Sequence, residues 1–222
     1  MSYNIAIDGP AGAGKSTIAR RAAEKLHFIY VDTGAMYRAI ALFFLKKGIS
    51  FQDTETMAEE CRNAEVSITY QDGEQIVLLN GENVNSLIRT EEVSSMSSKA
   101  SAVLEVRAHL LDLQRSLAAG ENVIMDGRDI GTCVLPKADV KIFLTASTQV
   151  RARRRYEELR AKGSEESLEC VERKIIERDE ADRNRAISPL REAEDAVHVD
   201  TSDMTVEEAV DRVLEICQEK MV

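Results

Sequence analysis

The chain has 222 residues, 44% hydrophobic and 31% charged, with a formal net charge of -10. That length holds one substantial core, and the acidic balance argues against nucleic acid as a partner, since polyanion binding shows up as excess basic charge. The longest apolar run, Ala39 to Leu45, is far shorter than the ~18 residues of a membrane span, and no secretory leader is visible, so a soluble, cytoplasmic protein with no membrane partner is expected, and a monomer since no long exposed apolar stripe is left over.

Taken in order, Tyr3 to Asp8 alternates apolar and small residues and reads as a strand. A glycine loop follows, then Lys15 to Leu26, where Ile18, Ala19, Ala22, Ala23 and Leu26 recur at helical spacing. Phe28 to Val31 is a short strand, and Gly34 to Lys47 a helix closed by Gly48. Between Ala64 and Asn85, "VSITY", "EQIVLL" and "ENVN" are strand candidates joined at Asp72-Gly73 and Asn80-Gly81, both tight-hairpin signals, so a small antiparallel insertion is expected. Leu104 to Leu117 returns to helical spacing, with Val106, Leu110, Leu113 and Leu117 on one face. Asn122 to Met125, Val140 to Leu144 and Ala196 to Val199 read as buried strands; Thr148 to Lys162, Glu165 to Arg185 and Val206 to Glu219 read as charged helices. Strands alternating with helices predict an α/β three-layer sandwich around a parallel sheet. The expected organisation is one domain over 1–222, carrying the β insertion at 63–90 and a short helical lid at 150–166.

Gly9-Pro10-Ala11-Gly12-Ala13-Gly14-Lys15-Ser16 matches GxxxxGK[ST] between a strand and a helix, and Thr17 follows. Here glycines let backbone N–H groups curl around phosphate oxygens, the helix N-terminus adds partial positive charge, Lys15 reaches the β and γ phosphates, and Ser16 can ligate magnesium. A chance match somewhere in a chain of ordinary glycine content occurs on the order of 1% of the time. ATP and Mg²⁺ are the implied co-substrate and cofactor. No guanine-reading NKxD segment occurs, and a kinase for a small acceptor fits the size.

An acceptor should lie beyond the carboxyl ends of the strands, where "VDTGAMYR" and "IMDGRDIGT" sit. Arg38 and Arg128 can form bidentate contacts to an acceptor phosphate, with Thr33 supplying a hydroxyl and Asp129 an acceptor oxygen. The competing reading has Asp126 and Asp129 capping a helix and the arginines solvated. Arg178, Asp182 and Arg185 are spaced to share a helical face, where simple ion pairing is the alternative, at ~0.2–0.5 kcal/mol per pair. In "RARRR", Arg151, Arg154 and Arg155 share another face, and four arginines in five residues repel one another unless an anion sits among them, which suggests a mobile lid over the transferring phosphate. Cys61, Cys133, Cys170 and Cys217 are scattered, as are His27, His109 and His198, leaving free thiols and no zinc spacing.

"GPAGAGKST", "DTGAMYR", "IRTEEVSSMSSKASAVLEVR", "DGRDIGT" and "ERDEADRNRAISPL" together closely resemble the bacterial cytidylate kinases, over essentially the whole length. The resemblance implies transfer of phosphate from ATP to CMP and dCMP. It also implies that Thr33, Arg38 and Arg128 hold the acceptor phosphate and that Ser98, Arg107 and Asp129 read the cytosine. Asp182 and Arg185 match sugar and phosphate contacts, and Arg178 an arginine directed at the transferring group; with Lys15, Arg128 and Arg154 it completes the expected catalytic set. A carboxylate suits cytosine because its N4 amino group is a donor. Two rivals stay open: a kinase for UMP or a hydroxyl acceptor such as shikimate, with Asp32 as base, and a non-enzymatic ATP-dependent binding switch.

Overall fold

The structure, a computed structural model, describes residues 2–161 and 163–220; Lys162, at the end of one expected helix, lies outside them. In chain order the elements are β1 (Asn4–Asp8), α1 (Lys15–Leu26), β2 (Ile29–Asp32), α2 (Thr33–Lys46), α3 (Thr54–Glu60), β3 (Val66–Gln71), β4 (Glu74–Leu79), β5 (Glu82–Asn83), α4 (Glu91–Ala100), α5 (Leu104–Gly120), β6 (Val123–Gly127), β7 (Val140–Thr145), α6 (Thr148–Ala161), α7 (Leu168–Asn184), β8 (Val197–Asp200) and α8 (Val206–Lys220).

Five strands form a wholly parallel sheet in the order β2-β6-β1-β7-β8. Because strand side chains alternate, Ile5 and Ile7 of β1 enter one layer with Ile18 and Ala22 of α1 and Val213 and Ile216 of α8. Ala6, between them, enters the opposite layer with Met36, Ile40 and Phe44 of α2 and Leu110 of α5. Both faces are covered over β1, β6 and β7, which is why these strands read as near-continuous apolar runs, while the outer β8 keeps His198 and Asp200 exposed.

The insertion is a separate antiparallel sheet, β3-β4-β5. Asp72 and Gly73 have φ of 53° and 80°, and Asn80 and Gly81 of 49° and 82°, the paired left-handed residues that a two-residue hairpin turn requires. Two helices have no clear apolar periodicity in the sequence. In α4, "EEVSSMSSKA", serines interrupt the apolar pattern, yet Thr90 caps it by accepting from Val93 N–H at 3.2 Å, and Val93, Met96 and Ala100 are buried. The short α3 is likewise capped by Asp53, which accepts from Thr56 N–H at 3.0 Å.

α7 starts three residues later than expected, after the Ser167 cap, and Arg185 falls outside it in extended backbone (φ -64°, ψ 140°). Arg178 and Asp182 share the helix; Arg185 reaches the same region from the following segment. Beyond Gly127 the chain makes a π turn over Ile130–Val134 with no side-chain cap. Asp129 instead supplies its carbonyl to Cys133 and Val134 N–H, at 2.8 and 3.2 Å. No helix among the described residues is long and apolar enough to cross a membrane.

Candidate active site

Gly9, Thr33, Arg128, Ala146 and Thr201 each lie just past the carboxyl end of a parallel strand, so one edge of the sheet collects them. The loop between β1 and α1 forms the floor. Gly9 has a φ of 149°, and a Cβ there would stand 1.9 Å from the Leu144 carbonyl oxygen of β7, so only glycine fits. α1 begins with no side-chain cap and no acidic residue in its first turn, leaving its N-terminal N–H groups available to an anion.

Lys15 is buried and donates to the Pro10 carbonyl at 2.8 Å. Burial, and then repulsion from Arg128, push its ammonium down to about 7, against the pull of Asp126 and Asp8. Ser16 donates to Asp126 Oδ2 at 2.9 Å, and Tyr30 donates to Asp126 Oδ1 at 2.9 Å. Burial and the neighbouring Asp32 raise Asp126 to about 6. Asp32 itself caps α2, accepting from Ala35 N–H at 2.9 Å, and pairs with Arg38 at 2.9 Å. Thr33 donates to the Asp126 carbonyl at 2.7 Å.

A set of cations surrounds this floor. Arg128 Nε donates to Asp182 at 3.0 Å. Burial pushes Asp182 up, but Arg128 and Arg178 outweigh it and hold the carboxyl below its usual range. Arg178 is pushed down to about 10 by burial, then by Arg128, with Arg38 and Arg155 adding repulsion. Arg38 Nε, Arg178 Nε and Arg185 Nη2 are buried with no hydrogen bond. Buried guanidinium N–H groups in that condition are costly unless an anion meets them.

Beside them, Arg107 and Asp129 form a buried ion pair, and Arg185 lies 3.7 Å from Asp129 and 3.9 Å from Asp182. The Arg107 guanidinium sits over the Tyr37 ring, 5.5 Å from its centroid. Ser98 is half-buried on α4 and its carbonyl accepts from Ser101 Oγ at 2.9 Å; Ser101 in turn accepts from Arg107 at its carbonyl, 3.2 Å, and from Arg185 at its hydroxyl, 3.4 Å.

The "RARRR" segment divides. Arg151 is turned inward: it pairs with Asp179 at 2.7 Å, both buried, and donates to the Ala11 carbonyl of the phosphate loop at 2.8 Å. Arg155 pairs with Glu158 at 2.8 Å. Protein carboxylates thus offset two of these arginines without any bound anion, contrary to the reading that all four await one. Arg154 donates to the Thr201 carbonyl at 2.8 Å and lines a cavity of about 350 Å³ with Gly12, Gly14, Thr17 and Val206.

Several residues the sequence did not single out organise the site. Asp8 accepts from Ile130 and Gly131 N–H at 2.8 and 2.7 Å, tying the end of β1 to the segment that carries Arg128 and Asp129. Tyr30 and Ser101 are the others described above. The sequence signal for Asp8 and Tyr30 is adjacency to motif residues, and Ser101 lies within "IRTEEVSSMSSKASAVLEVR".

A strand, glycine loop and helix carrying lysine and serine, opposed by arginines from α2, the end of β6 and α7, define a P-loop phosphotransferase. Residues 5–219 match the model of the family described as cytidylate kinase. The chain is 53% identical over 216 residues to the cytidylate kinase of Carboxydothermus hydrogenoformans, covering 97% of each. It is 52% identical to that of Caldanaerobacter subterraneus subsp. tengcongensis, covering 97% of this chain and 94% of the relative. Among solved structures, an uncharacterized protein from Eubacterium ventriosum shares the fold, with a TM-score of 0.51 at 10% identity over 96% of this chain and 97% of that one. The chain belongs to the cytidylate kinase family.

Proposed function

We infer that this chain, as a nucleoside monophosphate kinase of that family, transfers the γ-phosphoryl group of ATP to CMP and dCMP, giving ADP with CDP or dCDP. The observation that supports this most is the trio of buried guanidinium nitrogens without a hydrogen bond, Arg38 Nε, Arg178 Nε and Arg185 Nη2, around a floor holding Lys15.

The loop from Gly9 through Thr17 holds the ATP phosphates through the backbone N–H groups of its residues other than Pro10, with Lys15 on the β and γ oxygens. The nearby phosphates would restore the full charge that burial takes from Lys15. Ser16 and Asp126 present hard oxygen donors 2.9 Å apart, a set that suits Mg²⁺. When bound, that ion neutralises charge on the β and γ oxygens.

Thr33, Arg38 and Arg128 hold the acceptor phosphate, while Asp182 and Arg185 hold its sugar and phosphate side. Ser98, Arg107 and Asp129 read the base: Asp129 accepts from cytosine N4 and Arg107 donates to its N3 and O2 edge. The acceptor attacks as a phosphate dianion, since its second pKa is ~6, so no protein base is required. Arg128, Arg154 and Arg178 stabilise charge as the phosphoryl group moves, the positioning and electrostatic work on which such transfer depends.

A hydroxyl acceptor would need a base, and Asp32 has both oxygens engaged, one on Ala35 N–H and one on Arg38. That arrangement favours the nucleotide acceptor. Location in the cytoplasm and a monomeric state complete the reading. Coupled ADP release with CMP, dCMP, UMP and shikimate supplied separately tests it: CMP and dCMP should stimulate turnover far above the acceptor-free rate. An equal response to shikimate, or ATP binding with no stimulated turnover, contradicts it.

A further inference from the structure

Strand β2 is an outer strand of the parallel sheet, paired on one side only, so backbone groups on its free edge need partners from elsewhere. At Asp32 the partner is a side chain. Gln75, on β4 of the insertion, accepts from Asp32 N–H at 2.8 Å through Oε1 and donates to the Asp32 carbonyl at 3.2 Å through Nε2. A single carboxamide does there what a neighbouring strand would do, in both directions.

Gln75 is itself held. Asn85 donates to the Gln75 carbonyl at 2.8 Å and accepts from Val77 N–H at 2.9 Å, continuing the support of β4 where β5 pairs only with Leu78 and Leu79. Asp32 carries the restraint inward, with one carboxylate oxygen on the first turn of α2 and the other on Arg38 Nη2 at 2.9 Å. The Arg38 Nε then faces the buried interior with no hydrogen bond.

We propose that Gln75 is a positioning residue for the acceptor phosphate, acting through Asp32 on Arg38, so that docking of the inserted sheet onto β2 sets the affinity for that phosphate. This rests on the reading that Arg38 holds the acceptor phosphate. Other tethers join the insertion to the core, among them Tyr70 to the Tyr30 carbonyl at 3.2 Å and the exposed Arg20–Glu74 and Lys46–Glu82 pairs at 3.4 and 3.6 Å, and none of these contacts Asp32. They are natural controls.

The test compares dissociation constants of CMP and of cytidine on the full chain by calorimetry, because their ratio isolates the phosphate. Gln75→Ala should lower the CMP preference about 5- to 10-fold, the scale of losing two hydrogen bonds, with cytidine affinity and the KM for ATP unchanged. Gln75→Glu keeps the side-chain length but opposes the Asp32 carbonyl with an oxygen and sets a charge beside the Asp32 carboxylate. It should lower the preference at least as far, and it serves if the alanine variant does not fold. Tyr70→Phe should leave the ratio unchanged, and Gln75→Ala in an Arg38→Ala background should add nothing. If Arg38→Ala keeps the native ratio, the reading of Arg38 falls and this inference with it. If Arg38→Ala collapses the ratio while both Gln75 variants retain it, the positioning role alone is overturned. Equal weakening of CMP and cytidine, or an effect of Gln75→Ala that persists without Arg38, overturns it as well.

Discussion

Ser16 Oγ and Asp126 Oδ2 meet at 2.9 Å although 110 residues separate them. That bond joins the start of α1 to the end of β6, and so the donor loop to the strand that leads into Arg128 and Asp129. Asp8 makes a second join, from β1 to the Ile130 and Gly131 N–H groups. The two proposed phosphate sites, built from distant parts of the chain, therefore share one floor.

Lys15→Ala removes the cation from that floor. Turnover should fall by ~10³-fold or more, as when charge stabilisation is withdrawn from a phosphoryl transfer. The buried ammonium is costly to the folded chain, so the melting temperature of the purified variant should hold or rise. Coupled ADP release and thermal melting measure the two effects.

Asp129→Asn replaces a group that only accepts with one that also donates. Its preference for CMP over UMP, measured as a ratio of kcat/KM values, should fall about tenfold, within the ~1–3 kcal/mol worth of a good base contact. An unchanged ratio assigns base reading to another residue.

Asp8 gives a pH dependence. Burial raises its carboxyl from 3.8 to about 6, even though the Gly131 and Ile130 N–H bonds act to lower it. A carboxyl raised on folding adds stability that is complete below its unfolded pKa and is lost as pH climbs through the folded value. Its contribution should therefore decline between about pH 4 and pH 6. Asp8→Asn should remove that component, and melting temperatures of the two proteins across this window measure the difference in slope.

Arg151 and Arg154 of α6 should separate cleanly. Arg151→Ala leaves Asp179 buried without its partner, and breaking such a pair costs about 3–5 kcal/mol, so thermal stability should drop by many degrees. Arg154→Ala, whose guanidinium bonds Thr201 beside the cavity lined by Gly12, Gly14 and Thr17, should keep its stability and lose turnover. Melting curves paired with steady-state rates decide both.

What could be read from the sequence follows the range of each interaction. The phosphate loop is contiguous, and the hairpins at Asp72-Gly73 and Asn80-Gly81 are set by local backbone chemistry, so both were legible. Apolar residues mark β1, β2, β6 and β7 because both faces of the sheet are buried there, whereas β8 is half exposed. Helix α4 was not legible, since its serines break the periodicity and its stability comes from a Thr90 cap and from packing against α2. The exit of Arg185 from α7 is not legible because the helical spacing from Arg178 continues past the real end. Arg151 looked like its neighbours in "RARRR"; only the position of Asp179 in space tells it apart. Gln75 and Asp8 carried no motif, because their partners lie 43 and 122 residues away.

The central claim, that donor and acceptor phosphates occupy adjoining sites on one sheet edge, is tested most directly by a single molecule that spans both. Adenosine and cytidine joined 5′ to 5′ through a pentaphosphate should bind at least ~100-fold tighter than ATP or CMP alone, since the second contact becomes intramolecular. Calorimetry should show that advantage lost on removing either Lys15 or Arg128. Affinity no better than that of ATP, or an advantage that survives both substitutions, contradicts the account.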